Sequence, residues 1–285
     1  MAAKSERGRL TPYLLTLPGV LWLTAFFVVP MVTMFSVSFQ EGNIYEGYRF
    51  TGHWQTYTDT LGSYSEQFLR SLWYGLIVTA AVLLITFPMS YWIALKGGKR
   101  KNLFLLMILL PFFTPFIIRT LSWKLILGDE GIFLGTLKNI GILPDSYQVL
   151  ATPTAVIAGL IYNFLPFMAL PLYVALEKLD PALLEAAQDL YSNKRETFMN
   201  VTLPLALPGV FAGSLLTFIP VAGDFINAEL LGGVNTTMIG NVIQREILVN
   251  LDYPEGAAIS FLLMAGILLG VFLYARALGT EELMG

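Results

Sequence analysis

LEAAQDLYSNKRETFMNVTLPLALPG, residues 184–209, is a polar, charged passage set between two of the longest apolar runs of the chain. Its lead-in, LDPALLEAAQDL (179–190), reads as a short helix. Asp180 can cap it, and Pro181 suits the first helical position, where a missing N–H costs nothing. Leu183, Leu184, Ala187 and Leu190 then recur at the spacing of one helix face. YSNKRETFMNV (191–201) reads as a turn and a second short helix, and LPLALPG opens the next apolar run. A short helix–turn–helix held against an apolar body is a docking element. Its leucine face is expected to rest on that body while Glu185, Ala186 and Ala187 meet a partner.

The body itself is lipid-soluble. Of 285 residues, 55% are hydrophobic and 13% charged, about half the charge of an ordinary soluble domain, and the mean hydropathy is +0.66. A bilayer core takes about 20 apolar residues of helix. Six segments meet that length, at about 13–38, 72–95, 103–127, 150–176, 205–231 and 257–278. The first is too long for the apolar core of a cleavable signal, and no small-residue cleavage site follows it. Pro111, Pro115, Pro166, Pro171 and Pro220 fall inside segments three to five. Membrane helices tolerate such breaks where neighbouring helices or lining water satisfy the freed carbonyls, as around a pathway.

Lys and Arg set the orientation. One set of connections carries Lys4, Arg7, Arg9, Lys96, Lys99, Arg100, Lys101, Lys178, Lys194, Arg195 and Arg276. The opposite loops carry only Arg49, Arg70, Lys138 and Arg245, with Arg119 and Lys124 near the outer end of the third segment. The first set is therefore expected in the cytoplasm together with both termini, and the reading is an all-α integral membrane protein with six spans. It divides into an N-terminal tail, first helix and outer loop (1–65), a five-helix transmembrane domain (66–278) containing the polar loop 177–204, and a cytoplasmic tail (279–285).

Several chemistries are excluded by inventory. There is no cysteine, hence no disulfide and no thiolate nucleophile or ligand. The lone histidine, His53, reads as a solvated loop residue and leaves little scope for a metal site or a catalytic triad. KGGKRKN (96–102) lacks the spacing of a phosphate-binding loop, so the chain holds no ATPase. No basic arm or aromatic–basic stripe points to nucleic acid. A membrane enzyme would need convergent nucleophiles or metal ligands at one depth, and this inventory lacks them.

The polar loop resembles a signature of the permease subunits of bacterial ABC importers: EAA, three residues, Gly, nine residues, Ile-x-Leu-Pro. Glu185, Ala186 and Ala187 match its opening; Val201, Leu203 and Pro204 fall at the spacing of its close, with Val for Ile. Tyr191 stands at the glycine, where a turn with positive φ would suit glycine and not tyrosine, and Asn193 is the residue able to take the turn over. The resemblance implies a type I ABC importer permease fold. It also implies that the loop sits in a cleft of a separate ATPase subunit, with Glu185 facing an Arg. The chain would then bind no cofactor, ATP and Mg belonging to two ATPase subunits. A homologous second permease, an extracytoplasmic binding protein and membrane lipid complete the implied partners. A secondary transporter is the rival reading, and it would not need this loop.

Longer stretches are similar to the membrane B subunit of spermidine/putrescine importers: TPYLLTLPGVLWLTAFFVVPMVTMFSVSF (11–39), LPFFTPFIIRTLSW (110–123), LIYNFLPFMALPLYVALEKLD (160–180), GDFINAELLGG (223–233), TTMIGNVIQ (236–244) and DYPEGAAISF (252–261). Relatives importing phosphonates, opines or ferric iron share versions of the GDF…LLGG stretch, so another small solute stays open. In the fifth segment Ser214, Thr217, Val221 and Asp224 share a helix face, and a straight helix would place Asp224 ~30 Å beyond Pro204, near the outer mouth of a pathway. An anionic mouth with aromatic rings would attract a multiply charged amine. Asp224 can equally cap a helix. Asn163 can bond substrate or join helices. Tyr162, Phe218 and Phe225 read as packing before cage.

Overall fold

The computed structural model describes residues 7–190 and 193–278. Helix α1 (Arg7–Leu23) passes through a π-helical turn, Thr24–Val28, into α2 (Val29–Val37). The Val29 N–H reaches back five residues to the Thr24 carbonyl just ahead of Pro30, whose missing N–H breaks the regular ladder. Strands β1 (Gln40–Asn43) and β2 (Gly47–Phe50) form an antiparallel hairpin in which Gln40 faces Phe50. Helix α3 (Gln55–Lys96) follows, leaving helical geometry at Tyr64 and containing Pro88.

The sequence places the second span at 72–95, yet α3 is already helical from Gln55. Hydropathy detects only the apolar part of a helix: SEQFLR (65–70) is a polar start to the span, and the helical stretch before it joins across the kink at Tyr64. The third segment also departs from a straight span. Helix α4 (Lys101–Leu109) and the 3₁₀ turn Leu110–Phe113 meet α5 (Phe116–Ile126) at a bend of 91°. Thr114 is extended (φ −89°, ψ 133°) because the residue before a proline, here Pro115, is pushed out of the helical region. The described residues thus contain five helices long and apolar enough to cross a membrane, and six if the bent pair counts as one span.

Helix α6 (Ile132–Asn139) precedes α7 (Pro153–Glu177), where the Thr152 hydroxyl accepts the Ala155 N–H and Pro153 takes the first turn. Next come α8 (Pro181–Leu190), α9 (Lys194–Thr197), a second π-helical turn Phe198–Thr202, and α10 (Leu203–Ala222). That π turn stands two residues ahead of Pro204, as the first stands ahead of Pro30, and the Leu203 N–H reaches the Phe198 carbonyl. Helices α11 (Ile226–Leu231), α12 (Ile239–Leu248) and α13 (Tyr253–Leu278) complete the described residues.

Two compact units result. One takes the described residues up to Ser63 with Ile243–Leu262; the other takes Tyr64–Val242 and the described residues from Leu263. In the first unit none of the most apolar window of span 13–37 is buried, a face suited to lipid. Phe35 meets Phe261 edge-on, and the Tyr57 and Ser38 hydroxyls lie 2.6 Å apart. His53 is not simply solvated: its Nδ1 sits 2.7 Å from Glu41.

The second unit is built on α7 against α10. Gly209 lets the backbones close up, since a Cβ there would lie 2.8 Å from the Pro171 carbonyl oxygen. Around this seam Val78, Val82, Leu160, Met168, Leu172, Val221 and Leu231 form a buried core.

Candidate functional site

The polar loop folds as two short helices with caps that its sequence dictates. Asp180 Oδ1 accepts the Ala182 N–H at 2.9 Å, starting α8 at Pro181. Asn193 is extended (φ −141°, ψ 154°) and accepts the Glu196 N–H at 2.9 Å, so it starts α9 as a cap and does not supply a left-handed turn. Tyr191 lies outside the described residues. The face assignment changes in part. Leu183 and Leu190 are 51% and 81% exposed, whereas Ala187 is buried; Glu185 and Ala186 are exposed. Ala187 and the half-buried Leu184 seat α8 on the domain, as the expected face predicts, while Leu183 and Leu190 are left outward beside Glu185. At the close of the motif Thr202 is buried, Val201 and Leu203 are half-buried, and Pro204 is exposed. Lys101 and Glu177 pair at the end of α7 that leads into the loop.

Within the same unit a buried polar chain joins α5, α7, the end of α10 and α11. Arg119 Nε donates to Asn163 Oδ1 at 2.5 Å, and Asn163 Nδ2 donates to Asn227 Oδ1 at 2.8 Å. The Asn227 backbone N–H and Nδ2 then donate to the two Asp224 carboxylate oxygens at 2.8 and 3.1 Å. Thr120 Oγ1 accepts the other Asn163 amide hydrogen at 3.1 Å. All five residues are less than 9% exposed. Every donor in the series points from the guanidinium toward the carboxylate, so the amide dipoles align between a buried cation and a buried anion and strengthen one another. The helix cap at Asp224 is thus present. The straight fifth segment is not, because α10 ends at Ala222 and Asp224 begins a new helix after Gly223.

That break is held from below by the motif following it. A Cβ on Gly240 would lie 2.6 Å from the Gly223 carbonyl, so only glycine lets the strand of backbone approach, and Asn241 Nδ2 donates to the Phe225 carbonyl at 2.9 Å. GDF and IGN are one structural unit.

A cavity of about 660 Å³ lies beside this chain, lined by Pro88, Met89, Trp92, Phe104, Tyr162 and Arg119 among others. The aromatic setting expected for a substrate ammonium is occupied by the protein's own cation: the Arg119 guanidinium lies 5.4, 5.5 and 5.9 Å from the Phe112, Phe116 and Tyr162 ring centres. Ser214 and Phe218 line a second cavity of about 260 Å³, where the Tyr274 hydroxyl donates to Ser214. Thr217 is buried on α10 with its hydroxyl unpartnered, and Phe225 is 37% exposed at the start of α11. Of the seven residues placed on a pathway by sequence, Asn163 and Asp224 share one network, Tyr162 faces the larger cavity, and Ser214 and Phe218 face the smaller. Thr120 and Asn227 escaped the sequence reading, and Arg119 entered it only as a charge near the outer end of the third segment; the signal available was a set of polar residues inside three otherwise apolar segments.

Comparison with known proteins bears on what this arrangement serves. The family described as the binding-protein-dependent transport system inner membrane component matches residues 86–278. The spermidine/putrescine transport system permease protein PotB of Haemophilus influenzae is 40% identical over 257 residues, covering 90% of each chain. Among solved structures, the crystal structure of a bacterial ABC transporter involved in the import of the acidic polysaccharide alginate is similar with a TM-score of 0.72 at 21% identity, over 96% of this chain and 97% of that one. A bacterial alginate ABC transporter in complex with an alginate pentasaccharide-bound periplasmic protein gives 0.71 at 22% identity, over 99% and 98%. At such identities the structures speak for the fold alone.

Proposed function

This chain belongs to the family of binding-protein-dependent transport system inner membrane components, and we propose that it is the permease subunit of an ATP-driven importer that moves polyamines of the spermidine/putrescine class. It is a multi-pass protein of the inner membrane. The observation that carries the substrate is the 40% identity to a spermidine/putrescine permease across nine-tenths of both chains.

The chain performs no covalent chemistry. Its loop 177–204 docks on a separate ATPase, which binds ATP and Mg. What supports this is the exposed Glu185 and Ala186 beside outward Leu183 and Leu190, an acidic and apolar patch fit for an interface, on a seat fixed by buried Ala187. The assembly comprises this chain, a homologous second permease, two ATPase subunits and an extracytoplasmic binding protein. The Lys/Arg distribution supports an orientation with both termini in the cytoplasm. In the membrane domain Tyr162, Ser214 and Phe218 contribute to cavity walls. Asn163 and Asp224 belong to the buried network that ties α5, α7 and α11 together.

The test is the ATPase rate of the purified assembly in lipid nanodiscs. Binding protein loaded with spermidine or putrescine should stimulate hydrolysis. Stimulation by a phosphonate-loaded binding protein, with none by the polyamines, would overturn the substrate.

A further inference from the structure

The docking loop and the larger cavity share a single stretch of α3. Phe87 and Tyr91, four residues apart and so on one helix face, both receive the Phe198 ring edge-on, with centroids 5.5 and 6.2 Å away. Pro88, Met89, Trp92 and Ile93, interleaved with them, line the cavity of about 660 Å³. Phe198 is the first residue of the π-helical turn that closes the loop, and α8 packs against both that turn and α9. The α3 stretch is also locally soft. Pro88 removes the hydrogen bond its nitrogen would have made to the preceding turn, while the Ser90 hydroxyl ties the same stretch to the Ala169 carbonyl of α7 at 3.0 Å. A rigid ring pressed between two rings on one side of a weakened helix, with the cavity wall on the other, forms a continuous mechanical path.

Resting on the docking reading above, we propose that Phe198 is the positioning residue through which movement of loop 177–204 reaches the cavity wall, by way of Phe87 and Tyr91. Its ring touches no substrate. It converts displacement of the loop into a shift of Met89 and Trp92.

The full assembly in proteoliposomes tests this, with ATP hydrolysis and polyamine uptake measured on the same vesicles. Phe198→Ala should leave the ATPase bound and hydrolysing while uptake per ATP falls about tenfold, the scale on which a coupling residue modulates coupling. Phe198→Tyr, which keeps the ring, should restore the ratio. Phe87→Ala should reproduce the loss, and combining it with Phe198→Ala should deepen it no further. Phe198→Leu, which keeps apolar bulk for folding without the edge-on geometry, should also lower uptake per ATP. An unchanged ratio in Phe198→Ala and Phe198→Leu overturns the inference, as does a proportional fall of hydrolysis and uptake together. Absence of the ATPase from the wild-type assembly would overturn the docking reading itself.

Discussion

Asn163 uses both amide hydrogens and its carbonyl on three partners, Asn227, Thr120 and Arg119. Replacing it with leucine keeps volume and removes all three bonds, which leaves the buried Arg119 Nε–H without its acceptor and the Asn227 carbonyl with only the Thr120 hydroxyl at 3.5 Å. Such groups cost about 1–3 kcal/mol each, so Asn163→Leu should lower stability by about 3 kcal/mol, read as a fall in the unfolding temperature of the detergent-solubilised protein; an unchanged temperature would mean that the network contributes nothing. Asp224 permits a finer test. Its carboxylate caps α11 through the Asn227 N–H, and asparagine caps about as well as aspartate. Asp224→Asn should therefore keep polyamine uptake close to wild type, whereas Asp224→Ala should lose about 1 kcal/mol of stability. Uptake falling sharply in Asp224→Asn at unaltered stability would show that the negative charge itself serves the substrate. The sequence offered both roles for this residue and had no means to choose. The cap depends on where Asn227 lies, and a break at Gly223 is invisible in an unbroken apolar profile.

At the scale of elements, the two short helices of the polar loop were legible because they are local. Their caps, their length and the spacing from Glu185 to Pro204 are all set within one stretch of chain. The orientation of α8 was legible only in part. The leucine periodicity suggests an inward leucine face; Ala187 and the half-buried Leu184 do sit against the domain, but Leu183 and Leu190 point outward. The contact of Phe198 with Phe87 and Tyr91 was likewise hidden, since nothing in the sequence pairs rings so far apart along the chain. The bend at Thr114–Pro115 was half legible: its prolines were visible as breaks, but the angle of 91° depends on how α5 packs. Glu185→Lys tests the loop as an element. The side chain is exposed, so the variant should fold and insert normally, while reversing a charge at an interface should weaken co-purification of the ATPase by about tenfold or more. Full recovery of the ATPase with normal uptake would remove Glu185 from the interface.

For the whole molecule, composition and Lys/Arg placement established a membrane protein, and the family match over residues 86–278 places its transport role. The physical account joins three parts of one unit: an exposed loop for docking, a stretch of α3 beside a cavity, and a buried charge-to-charge network that holds the broken helices α5 and α11 against α7. On the proposed function, such a protein does work only when a separate ATPase moves the loop. The most direct measurement is radiolabelled spermidine uptake into proteoliposomes carrying this chain with its second permease and ATPase, with loaded binding protein outside and ATP or no nucleotide inside. The account predicts accumulation only with internal ATP, abolished by vanadate and lost in Glu185→Lys. Equal uptake without nucleotide, driven by an ion gradient and unaffected by vanadate, would contradict it.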